Sequence, residues 1–385
     1  MTRVMLVGPM PPTKGGVTTF MLNLMNSPLR DEFRFVPFTT SRPPKRNVTE
    51  NWGYRAMLRG GVRRIGAGAA VTLWHIGKFP FAVIAGRIEL VQIQACDYQV
   101  FWESALYAVM ARALGRKVLF RIGGAFDVFH GQASALEKRL IAAVLRWPHV
   151  VIAQSGFARD YIRMAGRAGD IVILPNWSSA PDAGMPARLA TTCPTCLFIA
   201  GQEAKRKGVE EVLAACSAVK ALGGRIHLHM LGVPPALRER IAGTDLADMV
   251  TMEGPAPHER VLALMRQHDI FLHPSHGEGF PNALLEAMEA GMACIATPVG
   301  AVPEMAVGGG VLTVPVGDSG HLARAILALA ASAETRLQMG AQARSKVRAH
   351  YVAATALPPL AQAYRRLLAN TTHFREAGIA GSISK

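Results

Sequence analysis

The stretch HPSHGEGFPNALLEAMEAGMACIATPVGAVPE, from His273 to Glu304, decides how this chain is read. The apolar residues leading into it end a buried strand, and GEGF follows as a loop. Pro281 stands where a first helical residue tolerates a missing N–H. Asn282 to Ala290 is helical by composition, and Gly291 closes the helix at C′. ACIAT is the next short strand. Glu278 therefore sits in the loop ahead of the helix, and Glu286 about two turns further on. The free N–H groups and dipole at such a helix start favour an anion, typically a phosphate. A carboxylate beside an anion is costly, so Glu278 suits neutral hydroxyls. Phosphate on the helix end with hydroxyls on either side describes a nucleotide sugar.

Glu278 and Glu286 in EGFPNALLEAMEAG, followed by T-P-V-G-x-V-P-E, resemble the donor-site motif of family-four retaining glycosyltransferases of GT-B fold. That resemblance implies that Glu278 faces the donor sugar and Glu286 holds the nucleotide ribose. It further implies donor contacts along Gly277, Gly279, Phe280, Pro281, Asn282 and Ala283. Without the surrounding context, two glutamates at this spacing are a solvated loop and helix face.

The chain has 385 residues, more than one comfortable core, so two domains are expected. Half of the residues are apolar, yet no segment reaches the roughly 18 uninterrupted apolar residues of a membrane span. MTRVMLVGPM reads as a first strand rather than a signal peptide. Five irregularly spaced cysteines suit a reducing cytosol, and the lone CxxC at Cys193 and Cys196 has no second pair to make a metal site. Of the net charge of +15, +13 falls in residues 1–177. Nucleic acid or an anionic membrane surface accounts for such a bias. With no nucleic-acid signature present, a peripheral position on the inner face of the cell membrane is the expectation.

Taken in order, RVMLVGP is a buried strand leading to a loop that ends in Gly15 and Gly16, where backbone can approach a ligand at a helix start. The KGGVTT order excludes a P-loop, which needs Lys after the glycines. The resemblance implies that this loop closes over the donor phosphates. Tyr54, Met57, Leu58, Val62 and Ile65 recur at helical spacing beside Arg55, Arg59, Arg63 and Arg64, either a membrane-surface helix or a solvated basic face. VTLWHI and ELVQIQA read as strands, and KVLFRIGG as another. Against the family pattern V-H-I-H…H-G-G-x-F-D, Gln92 and Gln94 replace two histidines and Ile122 replaces the active-site histidine. Arg121 and Asp127 are the polar groups left there, serving an anionic acceptor or pairing with each other. In CLFIAGQEAKRKG the family's G-R-x-x-x-x-K-G is matched at Lys207 and Gly208, with Gln202 in place of the arginine. Lys205 and Arg206 are candidates for the missing charge. His227 and His229 lack companions for a metal site.

The expectation is an α/β chain of two Rossmann-like doubly wound domains facing across a cleft. An acceptor-side domain occupies 1–180, a nucleotide-sugar domain 191–350, a helix returning to the first domain 351–371, and a loose tail 372–385. The expected activity is retaining transfer of a sugar from a nucleotide diphosphate-sugar to a glycan or lipid-linked acceptor. No metal or other cofactor is expected, since no Asp-x-Asp presents paired carboxylates to a cation. Lys207 and Glu278 would be catalytic. The competing readings are an epimerase or phosphorylase on the same fold, and a non-catalytic assembly component.

Overall fold

A computed structural model describes residues 1–13, 15–41, 62–179, 184, 191, 193–201 and 204–380. The chain forms two units. The first draws on residues up to Asn176 and again from Ala353 onward, and the second holds Trp177–Val352.

Unit 1 is built on a six-stranded sheet. Its strands are β1 (Thr2–Gly8), β2 (Phe33–Thr39), β3 (Leu90–Ala95), β4 (Lys117–Ile122), β5 (Val150–Ala153) and β6 (Ile171–Ile173). They pair in parallel in the order β2-β1-β3-β4-β5-β6. Val4–Val7 and all of β3 are buried, as helices on both faces of a parallel sheet require. Phe79 and Val83 from helix Val62–Ala85, and Phe101, Ala105 and Ala108 from helix Tyr98–Ala113, fill one face. VTLWHI is thus helical, not a strand. Its β-branched residues carry only a weak preference, which the helical spacing of Ile76, Phe79 and Val83 onto the core overrides. The sequence reading also missed β2, whose Pro37 breaks the pattern of FRFVPFT. An edge strand tolerates that proline, and β2 pairs only with β1.

The last helix, Pro358–Ala380, belongs to unit 1 and extends into the stretch read as a loose tail. It starts on a proline, whose missing N–H costs nothing there. Leu360 and Tyr364 are wholly buried, and the Tyr364 ring meets Phe33 edge-on with centroids 5.1 Å apart. The Tyr364 hydroxyl donates to Gln92 Oε1. Gln92, one of the two glutamines standing for histidines, therefore anchors this helix.

Unit 2 carries β7 (Thr195–Ile199), β8 (His227–Leu231), β9 (Val250–Glu253), β10 (Ile270–His273), β11 (Ala293–Ala296) and β12 (Val311–Thr313). The order is β12-β11-β10-β7-β8-β9, again all parallel. This is the doubly wound Rossmann order, and it reverses between β7 and β10. Open α/β sheets bind ligands at such a reversal, outside the carboxyl ends of the strands.

Candidate donor site in unit 2

Two loops meet at that reversal, one after β7, described at 200–201 and 204–208, and the other at 274–281 after β10. Gly208 makes the approach possible. It is left-handed (φ 85°), and a Cβ there would lie 2.2 Å from the Pro274 carbonyl oxygen. The loops are stitched by the His276 N–H to the Arg206 carbonyl, 2.8 Å, and by the Arg206 guanidinium to the Gly277 carbonyl. Behind them the Ala301 N–H donates to the Gly279 carbonyl, so the TPVG turn supports the GEG loop. Helix Asn282–Glu289 follows, with Pro281 as its cap residue and Gly291 left-handed just past its end. This is the strand–loop–helix the sequence describes.

Glu278 is 8% exposed and surrounded by donors. Its Oε1 lies 2.6 Å from Lys207 Nζ, 3.2 Å from Arg206 Nη1 and 2.9 Å from Ser275 Oγ. His273 Nε2 is 3.4 Å away, outside hydrogen-bond geometry, with its ring stacked on Phe271. Burial alone would raise the Glu278 pKa. Lys207 foremost, then His273 and Arg206, outweigh burial and hold the carboxyl well below its usual range. His273 is pulled down by its own burial, against the pull of Glu278. The two residues expected to be catalytic are therefore ion-paired with each other. Arg206 joins them, while Lys205 is exposed and makes no side-chain bond among the described residues.

Glu286 lies on the next helix, and its Oε1 is 3.0 Å from His258 Nε2. This partner was not foreseen. The hydrogen bond to Glu286 raises the His258 pKa despite partial burial. Gly277 is buried and Gly279 half-buried in the loop. Phe280 is a core residue, edge-on to Tyr351 at 5.4 Å, so its side chain is not a ligand surface. Asn282 and Ala283 form the half-buried first turn of the helix. Gln202 lies outside the described residues, as do Tyr54–Arg59 of the basic stretch and the side chains of Arg63 and Arg64.

In unit 1, Gly15 and Gly16 are exposed at the start of helix Gly16–Met25. Ile122, at the position of the family's histidine, is a core residue. Asp127 is half-buried, and burial raises its pKa. Arg121 does not pair with it; the Arg121 guanidinium donates to Asn176 Oδ1 at 2.6 Å and stacks over the Phe20 ring at 3.6 Å. Among the described residues no group of His, Cys, Asp and Glu is arranged to hold a metal ion, and no helix is long and apolar enough to cross a membrane.

Two parallel Rossmann-like sheets of six strands each define a GT-B-type fold. Residues 193–332, within unit 2, match the family described as glycosyl transferases group 1. The amylovoran biosynthesis glycosyltransferase AmsK of Erwinia amylovora is 30% identical over 175 residues, 42% of this chain and 42% of that one. A phosphatidyl-myo-inositol mannosyltransferase of Mycobacterium leprae is 33% identical over 187 residues, 46% of this chain and 49% of that one. The chain thus spans about half or less of these relatives' lengths. Sucrose-phosphate synthase from Thermosynechococcus elongatus superposes with TM-score 0.75 at 20% identity, covering 96% of this chain and all of that one. HepE of Anabaena in complex with UDP superposes with TM-score 0.69 at 14% identity, covering 95% of this chain.

Proposed function

We propose that this protein transfers a sugar from a nucleotide diphosphate-sugar to a glycan or lipid-linked acceptor in the synthesis of a cell-surface polysaccharide. The observation that carries this reading is the buried Glu278 carboxylate, clamped by Lys207 and Arg206 directly ahead of a helix start. A bound diphosphate, drawn to that helix start, competes with Glu278 for Lys207. As Lys207 turns to the phosphates, the carboxylate is released to accept hydrogen bonds from the sugar hydroxyls. Lys207 then opposes the charge that builds on the departing diphosphate, the kind of preorganised contact that lowers a barrier most. In this reading Glu286, hydrogen-bonded to His258, accepts from the ribose. Retention at the anomeric carbon and the absence of a metal requirement are part of the proposal.

The protein is further proposed to work on the anionic inner face of the cell membrane. The basic bias of residues 1–177 supports this. So does the exposed face of helix Val62–Ala85, where Leu73, Trp74, Phe81 and Ile84 project beside Lys78, whose Nζ lies 5.3 Å from the Trp74 ring. Aromatic and apolar residues interleaved with cations suit an interface of headgroups.

The test is turnover of a panel of nucleotide sugars with and without membrane extracts as acceptor source. Release of nucleoside diphosphate that depends on acceptor, and is lost in Glu278→Ala, is expected. Turnover without acceptor would point to an epimerase or phosphorylase. Binding without turnover would point to the assembly component.

A further inference from the structure

Unit 1 holds a buried cation that the donor chemistry does not use. Arg121, near the carboxyl end of β4, is 2% exposed. Its two partners, the Asn176 carbonyl oxygen and the Phe20 ring, are both neutral. Among the described residues the guanidinium donates through Nη2 to Asn176, and its Nε has no partner. Among the described residues no carboxylate pairs with it, and burial draws its pKa down to about 9. A buried charge without a counter-charge is costly to keep, so its retention calls for a reason.

The surrounding groups supply one. Gln94 is the register neighbour of Arg121 on β3, 2% exposed, and neither of its amide atoms has a partner. Gln92, two residues earlier on the same face, has an unpartnered Nε2, and so has Thr18 an unpartnered, buried Oγ1. Thr18 lies in the first turn of helix Gly16–Met25, which also carries Phe20. Buried polar atoms are ordinarily paired. The cluster lies by β1 and β3, where strand order reverses in this sheet as it does between β7 and β10. At the end of β1, Gly8 leaves the backbone bare; a Cβ would crowd Gln94 Cγ at 3.1 Å and Met21 Sδ at 2.5 Å.

We propose that Arg121, with Gln94 and Thr18, seats a phosphate group of the acceptor. The inference rests on the transferase reading, and it makes the acceptor an anionic one. A planar guanidinium fork matches two phosphate oxygens, and the neutral donors beside it add hydrogen bonds without repelling the anion. The seat is made entirely of unit 1 residues, none of which belongs to the donor site of unit 2.

The experiment uses the full chain saturated with UDP, so that phosphate sites of the donor are filled, and titrates inorganic pyrophosphate by calorimetry. A second binding event is expected. Arg121→Gln should weaken it by about 10- to 100-fold, the loss of a charge-assisted hydrogen bond. Gln94→Glu gives Arg121 a carboxylate on the neighbouring strand, so this variant should keep its Tm, keep UDP binding and lose pyrophosphate. That variant decides the matter should Arg121→Gln fail to fold. Competition by a polyprenyl phosphate in neutral vesicles would mark a lipid-borne phosphate, and competition by a sugar 1-phosphate a soluble one. No pyrophosphate event in the wild type, its survival in Gln94→Glu, or an event displaced by neither competitor would overturn the proposal. Failure of UDP, GDP and ADP alike to bind, with pyrophosphate still binding through Arg121, would instead sink the transferase reading and leave the seat standing.

Discussion

Replacing Glu278 by Gln removes one negative charge and almost no volume. The Ser275 hydroxyl keeps an acceptor, but Lys207 at 2.6 Å and Arg206 at 3.2 Å lose their counter-charge. Both cations are largely buried, with side chains 20% and 17% exposed. Breaking a buried pair from one side costs about 3–5 kcal/mol, and residual exposure places this site near the lower end. Stability should fall accordingly. Binding should move the other way. In the wild type a diphosphate must first displace Glu278 from Lys207, a charged hydrogen bond of about 1.5–3 kcal/mol. Freed of that competition, Glu278→Gln should bind the nucleoside diphosphate of its donor about 10- to 100-fold more tightly while sugar transfer collapses. Calorimetry with that diphosphate, alongside thermal unfolding, measures both. The acid limb adds a check. Because the folded Glu278 pKa lies well below 4.5, its stabilising contribution is complete above pH 4.5 and erodes as pH falls toward the folded value. That erosion should be absent from Glu278→Gln. Unchanged or weaker diphosphate binding in the variant would show that Lys207 is not contested, and the exchange between carboxylate and phosphate would be wrong.

Three further outcomes are expected. His258→Ala should weaken UDP binding about two- to fivefold at pH 6, the scale of an exposed ion pair. The raised His258 pKa means that the charged contact is present below 6.5 and fades as pH rises through the folded value, so variant and wild type should converge at pH 9 in the same titration. Gly208→Ala forces a side chain into a left-handed position facing the Pro274 carbonyl, and should lower Tm by about 3–10 °C; an unchanged Tm would mean the two loops part freely. Trp74→Ser with Phe81→Ser should reduce flotation with anionic vesicles at low salt and leave UDP binding intact, whereas equal flotation would make that helix face an ordinary surface.

The strand–loop–helix around Glu278 was legible because every local signal agreed: an apolar run, glycines, Pro281 at the helix start and Gly291 at its end. Long-range pairings were not. Lys207 and Glu278 are 71 residues apart, and Tyr364 and Gln92 are 272 apart. No periodicity reports that two such side chains meet, so Lys207 reads as a free phosphate ligand and Gln92 as a lost histidine. VTLWHI misled for a different reason. A six-residue window rich in β-branched and aromatic residues fits a strand, and only the wider spacing of Ile76, Phe79 and Val83 reveals the helix. His258 was invisible as a partner of Glu286 because its loop carries no signal beyond a turn and a helix start.

Unit 1 is assembled from both ends of the polypeptide, whereas unit 2 is one continuous run from Trp177. A ribosome delivers residues from the amino terminus, so the sheet of unit 1 emerges long before the helix that seals it. Until Leu360 and Tyr364 are made, the Phe33 and Gln92 side of that sheet stays bare, and Glu32 and Asp170 wait for Arg365 and Arg366. Unit 2 can close earlier although it begins later. A fragment ending near Asn176 would therefore be an incomplete body with an uncovered apolar face, prone to stick to its own kind. Fusing residues 353–380 behind it through a short linker would restore the missing cover.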